Sequence, residues 1–276
     1  MSNGGGPHRV RWDGGTRSLE FGDPGADRHG GEPVVVVVPG LGALGYLVDA
    51  LAGCAAWSRP FLLDVPGFGH RPPRPCAAEV PAVADAVVRW LDLVVGDRPV
   101  VLVGHSTGAQ AALHVAALHP GRVGALVLMG PTFPPEQRRF PGLLRNYFRN
   151  SRREPPGLLP VTVPYYARGG PRELVRFVRS GQRDRPEQVI TGVRCPTLLV
   201  RGEHDAFSPR DWVDRLTAAA PDGWSETAPG AHTFPYQHGG ATSALIARAA
   251  RRAGLLGPVP SPEPLHTRPK GCSPEV

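Results

Sequence analysis

The sequence predicts an α/β protein: a mostly parallel sheet with helices on both faces, interrupted once by a helical insertion. Three observations predict it. From Pro33 onward, short β-branched runs alternate with Ala- and Leu-rich stretches of helical length, the pattern of strands joined by crossover helices. Runs such as Val34–Val38 and Val100–Val103 are apolar at every position, as strands covered on both faces are. The alternation stops over Pro131–Ile190 and then resumes, which marks that segment as an insertion.

In chain order, a Gly-rich start leads to two short strands, His8–Trp12 and Arg17–Phe21. They flank Asp13-Gly14-Gly15, a turn signal that makes the beginning of the sheet antiparallel. There follow strand Val34–Val38, a helix near Tyr46–Trp57, strand Phe61–Asp64, helix Pro81–Val95, strand Val100–Val103, helix Ala109–Leu118 and strand Ala125–Met129. After the insertion come strand Thr197–Arg201, helix Pro209–Ala219, strand Gly223–Thr227 and helix Thr242–Ala253. The expected organisation is a core formed by residues 1–130 and 191–256, a helical cap at 131–190 and a tail at 257–276. The tail holds six prolines and no apolar period, so disorder is expected there.

The chain has 276 residues, 41% of them hydrophobic, which is enough for a sizeable core. No apolar stretch approaches the roughly 18 residues of a membrane span. Met1–Arg11 lacks the apolar run and cleavage site of a secretory signal, so a cytoplasmic location and no membrane partner are expected. Cys54, Cys76, Cys195 and Cys272 are scattered without CxxC pairs or His partners at ligand spacing, so no disulfide framework, metal or cofactor is expected. Thirty of the 31 basic residues are Arg, which together with 35 Gly and 33 Pro reads as the codon bias of a GC-rich genome. Nucleic-acid binding requires a recognition module beyond charge, and none is visible.

The insertion is compositionally distinct. It carries twelve Arg against five acidic residues, an excess equal to the formal net charge of +7 of the whole chain. It also holds seven of the fourteen Phe and Tyr, among them Phe133, Tyr147, Tyr165 and Tyr166. These four are candidate substrate contacts in an apolar acyl or aryl pocket; the plainer reading is that they glue the cap to the core. The arginines form either a solvated face or an attractor for an anionic substrate or an acidic carrier protein.

Directly after strand Val100–Val103 stands Gly104-His105-Ser106-Thr107-Gly108, followed by a helix. With 11 Ser and 35 Gly in the chain, a G-x-S-x-G string arises by chance about 0.2 times, so its setting carries the information. Between a strand and a helix, this turn thrusts a serine nucleophile above the sheet. The glycines flank it because side chains there would collide with the neighbouring strand and helix. Thr107 opens the helix, so its N–H, helped by the positive helix end, can face a developing oxyanion. A serine that merely caps the helix is the alternative. A second oxyanion donor is the Leu41 N–H in Val38-Pro39-Gly40-Leu41-Gly42, where an ordinary Pro-Gly turn reads the same way.

A serine hydroxyl needs a base, and the base needs an orienting carboxylate. Strand Thr197–Arg201 runs into Gly202-Glu203-His204-Asp205, and strand Gly223–Thr227 into Pro229-Gly230-Ala231-His232. Both loops follow the carboxyl ends of strands, where sites form in open parallel sheets, so Ser106, Asp205 and His232 can meet. Glu203 rivals Asp205, which also has a helix-capping reading, and His238 rivals His232.

These segments, with Asp64-Val65-Pro66-Gly67-Phe68-Gly69 after a strand, resemble the alpha/beta-hydrolase superfamily over roughly residues 8–256. The resemblance implies an eight-stranded, mostly parallel sheet, a cap after the sixth strand and a Ser106–His232–Asp205 triad. Two departures stand out: Pro39-Gly40 where many members have His-Gly, and His70 where Ser often follows the Pro-Gly-x-Gly run. Serine at 106 speaks against the family's epoxide hydrolases and haloalkane dehalogenases, whose nucleophile is a carboxylate. The expected activity is a serine hydrolase acting on a carboxylic ester or thioester of a small molecule, anionic or carrier-bound substrates included. Carbon–carbon bond hydrolysis or acyl transfer on the same triad, and a noncatalytic ligand-binding protein, are the alternatives.

Overall fold

The computed structural model describes residues 8–22 and 31–258. Among these, eight strands form one sheet in the order β1-β2-β4-β3-β5-β6-β7-β8: β1 (His8–Asp13), β2 (Thr16–Phe21), β3 (Val34–Val38), β4 (Arg59–Leu63), β5 (Val100–His105), β6 (Val123–Met129), β7 (Thr197–Gly202) and β8 (Gly223–Ala228). β2 runs antiparallel to both β1 and β4, and every other pairing is parallel. The hairpin signal at Asp13-Gly14-Gly15 and the later βα alternation thus define the two halves of the sheet.

Helices α1 (Val48–Cys54), α2 (Val80–Val94), α3 (Thr107–Leu118), α4 (Phe140–Ser151), α5 (Leu158–Gly169), α6 (Pro171–Arg183), α7 (Pro186–Val189), α8 (Arg210–Ala219), α9 (Phe234–Gln237) and α10 (Gly239–Arg252) complete the chain. All five residues of β3 are buried, and their alternation divides them between two cores. Val34, Val36 and Val38 join Val83, Val87 and Trp90 of α2, Ala112 and Val115 of α3, and Trp212 and Leu216 of α8. Val35 and Val37 face the opposite way, toward Leu51 and Cys54 of α1 and Ile246 and Ala250 of α10.

Helices α4 to α7 all lie between β6 and β7. Their attachment is apolar as well as polar: Phe177 of α6 is fully buried in the core shared with α2 and α3.

Three local differences from the sequence reading have physical causes. The helix expected near Tyr46–Trp57 is shorter, because 3-10 turns Gly40–Gly42 and Gly45–Leu47 precede α1. The backbone there is pinned by close approach; a Cβ on Gly45 would lie 2.6 Å from the Val161 carbonyl oxygen of α5. β5 runs on to His105 and α3 begins at Thr107, so no residue other than Ser106 separates strand from helix. The four-residue α9, unpredicted, follows His232. Most of the expected disordered tail, residues 259–276, lies outside the described residues, as does Cys272. Cys54, Cys76 and Cys195 are free thiols. Among the described residues no helix is long and apolar enough to cross a membrane.

Candidate active site

Ser106 occupies the junction of β5 and α3 with φ 57° and ψ −122°, a conformation that costs a non-glycine residue roughly 1–3 kcal/mol. The surrounding backbone holds it there. Its N–H donates to the Met129 carbonyl at 2.9 Å, and its own carbonyl accepts from Ala109 N–H at 3.0 Å. The flanking glycines are sterically required. A Cβ on Gly104 would lie 2.3 Å from the Gly108 carbonyl oxygen, and one on Gly108 would lie 2.3 Å from that of Val38. In both cases the obstruction is backbone, which cannot swing aside.

Asp205 follows β7 and is buried. Its Oδ1 accepts the backbone N–H groups of Phe207 and Ser208 at 2.9 and 3.0 Å, while Oδ2 accepts His232 Nδ1–H at 2.9 Å. The rival Glu203 lies exposed on the surface beside His204, which decides between the two carboxylates. His232 follows β8, and its ring is flanked by Phe207 at 5.0 Å and His105 at 4.8 Å between centroids. Gly130, at the end of β6 with φ 54°, leaves room for both groups: a Cβ there would lie 2.9 Å from the His232 ring and 3.2 Å from Asp205 Oδ2. His238 instead caps α10, where its carbonyl accepts from Thr242.

The electrostatics of the pair are mutual. Burial alone pushes the Asp205 carboxyl up, but the His232 charge, its hydrogen bond and the Ser208 N–H outweigh this and hold it below the ordinary carboxylate range. Burial alone pushes His232 down, but Asp205, with a smaller contribution from Glu154, carries it above its ordinary value. The Ser106 hydroxyl is not hydrogen-bonded to His232 in this structure. Such contacts at serine nucleophiles commonly close only when substrate is bound.

The two candidate oxyanion donors are adjacent but not equivalent. Thr107 N–H lies in the first turn of α3, where the helix supplies no carbonyl for it. The Leu41 N–H, expected to face the oxyanion, donates to the Thr107 hydroxyl at 2.9 Å. Leu41 is held at φ 45°, a left-handed conformation rare for leucine, which sets the direction of that N–H. A Cβ on the neighbouring Gly40 would lie 2.7 Å from Ser106 Cβ, so this turn abuts the serine directly.

Two residues that the sequence did not single out connect these pieces. Gly40 N–H donates to the Tyr46 hydroxyl at 2.9 Å, Tyr46 O–H donates to His105 Nδ1 at 2.8 Å, and His105 Nε2–H donates to the His232 carbonyl at 2.9 Å. Only this direction satisfies every group, and it fixes His105 as the neutral Nε2–H tautomer. Burial, then the His232 charge, pushes His105 down to about 3, in keeping with that assignment. His105 stands in the serine motif without a role that the motif assigns, and nothing in the sequence pointed to Tyr46.

The four candidate substrate contacts occupy different surroundings. Phe133 is buried, with φ 63°, and its ring lies against Gly181 of α6. Tyr165 bridges both cores beneath the Arg168 guanidinium. Tyr166 packs on the α1/α10 core, within electrostatic reach of Tyr147 and Glu154, and burial pushes its hydroxyl up to about 12. Tyr147 is exposed beside Phe148. The cap arginines face two outer clefts. Arg172, Arg176, Arg179 and Arg183 line one of about 840 Å³ against α2 and α3. Arg145, Arg149, Arg152 and Arg153 line another of about 590 Å³ that reaches the Asp205 loop. Neither cleft is lined by Ser106 or His232.

A family model described as the alpha/beta hydrolase fold matches residues 33–162. The chain is 28% identical over 228 residues to a 2-hydroxy-6-oxononadienedioate/2-hydroxy-6-oxononatrienedioate hydrolase of Pseudomonas sp, covering 71% of this chain and 80% of that one. It is 26% identical over 202 residues to a pimeloyl-[acyl-carrier protein] methyl ester esterase of Neisseria meningitidis, covering 63% and 76%. Among solved structures, the enol-lactonase from Burkholderia xenovorans superposes with a TM-score of 0.65 at 18% identity over 88% of this chain and 100% of that one.

Proposed function

We propose that the chain, whose residues 33–162 match the alpha/beta hydrolase fold, is a serine hydrolase of that superfamily cleaving a carboxylic ester or thioester of a small molecule through Ser106, His232 and Asp205. The observation that carries this reading is the buried Asp205–His232 pair, 2.9 Å apart, on the same sheet rim as a serine held in a strained turn. Relatives named as an esterase and as a hydrolase support the hydrolytic class.

In the proposed sequence, His232 Nε2 takes the Ser106 proton as Oγ attacks the acyl carbon, and the carbonyl electron pair moves onto oxygen. The Thr107 and Leu41 N–H groups receive that oxyanion. The Thr107 hydroxyl satisfies the Leu41 N–H between turnovers and gives it up to the oxyanion, so the donor never stands unpaired. Collapse breaks the bond to the leaving alcohol or thiol, which takes the proton from His232. Water, deprotonated by the same imidazole, then attacks the acyl-serine; the acyl–Oγ bond breaks, the acid departs, and the imidazolium returns its proton to Ser106 Oγ. Asp205 holds Nδ1–H throughout and stabilises the imidazolium.

A fluorophosphonate probe followed by peptide mapping tests the assignment: the label is expected on the peptide containing Ser106, and a folded protein that stays unlabelled there is a binding protein instead. A panel of p-nitrophenyl esters and acyl thioesters then separates the two substrate classes. The pH profile gives a second expectation. His232 accepts a proton only when neutral and its pKa is raised, so kcat/KM should climb with pH through a midpoint above about 6.5. A midpoint well below that value would contradict the Asp205–His232 pairing as drawn.

A further inference from the structure

The inserted segment is strongly cationic and four of its arginines line a cleft that reaches the Asp205 loop, yet the side chain that bonds the residue after His232 is an acid. Glu154 follows α4 and is half-buried. Its Oε1 accepts the Thr233 N–H at 3.0 Å and the Asn150 side-chain amide at 2.7 Å, and its Oε2 accepts the Thr233 hydroxyl in a short hydrogen bond. Asn150, buried at the end of α4, accepts in turn from Ala206 N–H at 3.4 Å. Ala206 and Thr233 are the immediate neighbours of Asp205 and His232. A continuous chain of hydrogen bonds therefore runs from the acid loop through two cap side chains to the base loop.

We infer that Glu154 is a positioning residue for His232, gripping the base loop through Thr233, tying it to the acid loop through Asn150, and holding its carboxylate beside the residue that follows the base. The inference extends the serine-hydrolase reading, in which His232 must gain and lose a proton at each turn. Among the described residues Glu154 has no arginine partner, although twelve arginines lie in residues 131–190, and its hydrogen-bond donors are all neutral. A carboxylate so placed keeps its charge available to a cation that forms nearby. Asp205 from the β7 loop, neutral His105 from β5 and the Phe207 ring contact the His232 imidazole, and Glu154 from the insertion acts on it electrostatically. Glu154 is thus the one source of additional negative charge in that set. A pure staple would serve the same loops without needing a charge.

The test separates these roles. The titration of His232 is read by NMR of 13C-labelled histidine, its signal identified by its loss in H232Q, in the full-length wild type, E154Q and T233V. Glu154→Gln keeps an oxygen acceptor for Thr233 N–H and removes the charge, so its His232 midpoint should fall by about half a unit or more. The corresponding loss in kcat on p-nitrophenyl acetate is at least about threefold, with KM nearly unchanged. Thr233→Val keeps the charge and should leave the midpoint in place. An unshifted midpoint in E154Q overturns the inference, whatever happens to stability. Because the titration requires no turnover, it decides the role of Glu154 even if the protein resists the fluorophosphonate and hydrolyses nothing, a result that would instead defeat the Ser106 assignment.

Discussion

Ser106→Ala should lower kcat/KM on p-nitrophenyl esters by about four to six orders of magnitude while leaving the fold intact. The size of the loss follows from the arrangement: without Oγ there is no acyl-enzyme, and His232 has no nucleophile to activate. The proposed oxyanion donors, the Thr107 and Leu41 N–H groups, remain, so a residual rate above the uncatalysed reaction is expected. The fold should tolerate the change because among the described residues the Ser106 hydroxyl has no hydrogen-bond partner to strand. The positive φ of 57° is borne equally by serine and alanine, so no new strain enters. Steady-state kinetics beside a thermal melt checks both halves. A variant retaining activity within about tenfold of wild type would remove Ser106 from the mechanism.

The second large effect is expected for Asp205→Asn, a loss of about 10⁴ in kcat. The wild-type hydrogen bonds dictate how the amide must sit. Oδ1 receives two backbone N–H groups, from Phe207 and Ser208, so the amide oxygen is forced to that side. The NH₂ then points at His232 Nδ1, which must accept instead of donate. The imidazole proton moves to Nε2, facing Ser106, where the base should be unprotonated. With the carboxylate gone, the acid limb of the pH profile should also move downward. Glu203→Gln is the matched control: an exposed carboxylate whose removal should change kcat less than twofold or so. If E203Q were the damaging substitution and D205N the silent one, the roles of the two acids would be reversed.

The site was legible in the sequence where its chemistry depends on backbone geometry. Gly104 and Gly108 are required because the elbow presses three backbone segments together, and that requirement is written as a spacing of glycines around Ser106. Asp205 and His232 were found because loops at the carboxyl ends of parallel strands share one rim of the sheet. Tyr46 and Glu154 had no such signature. Each acts through a side-chain hydrogen bond to a residue 59 or 79 positions away, a relation that no local period or motif records. Phe133 illustrates a choice that composition leaves open: of the pocket and packing readings of the cap aromatics, the structure shows its ring against Gly181 of α6.

The sequence by itself determined the alternation of strands and helices, the burial of the central strands on both faces and the turn that carries Ser106, because these follow from the spacing of apolar residues and from the glycines that a tight turn demands. Only the tertiary structure decided that Asp205 and not Glu203 meets the histidine, that Thr107 holds the Leu41 N–H, and that eight of the insertion's twelve arginines line outer clefts while Glu154 bonds the base loop. The reason is one of range. Backbone preferences act over a few residues, whereas the direction of a buried hydrogen bond or charge is settled only when distant loops are packed against one another.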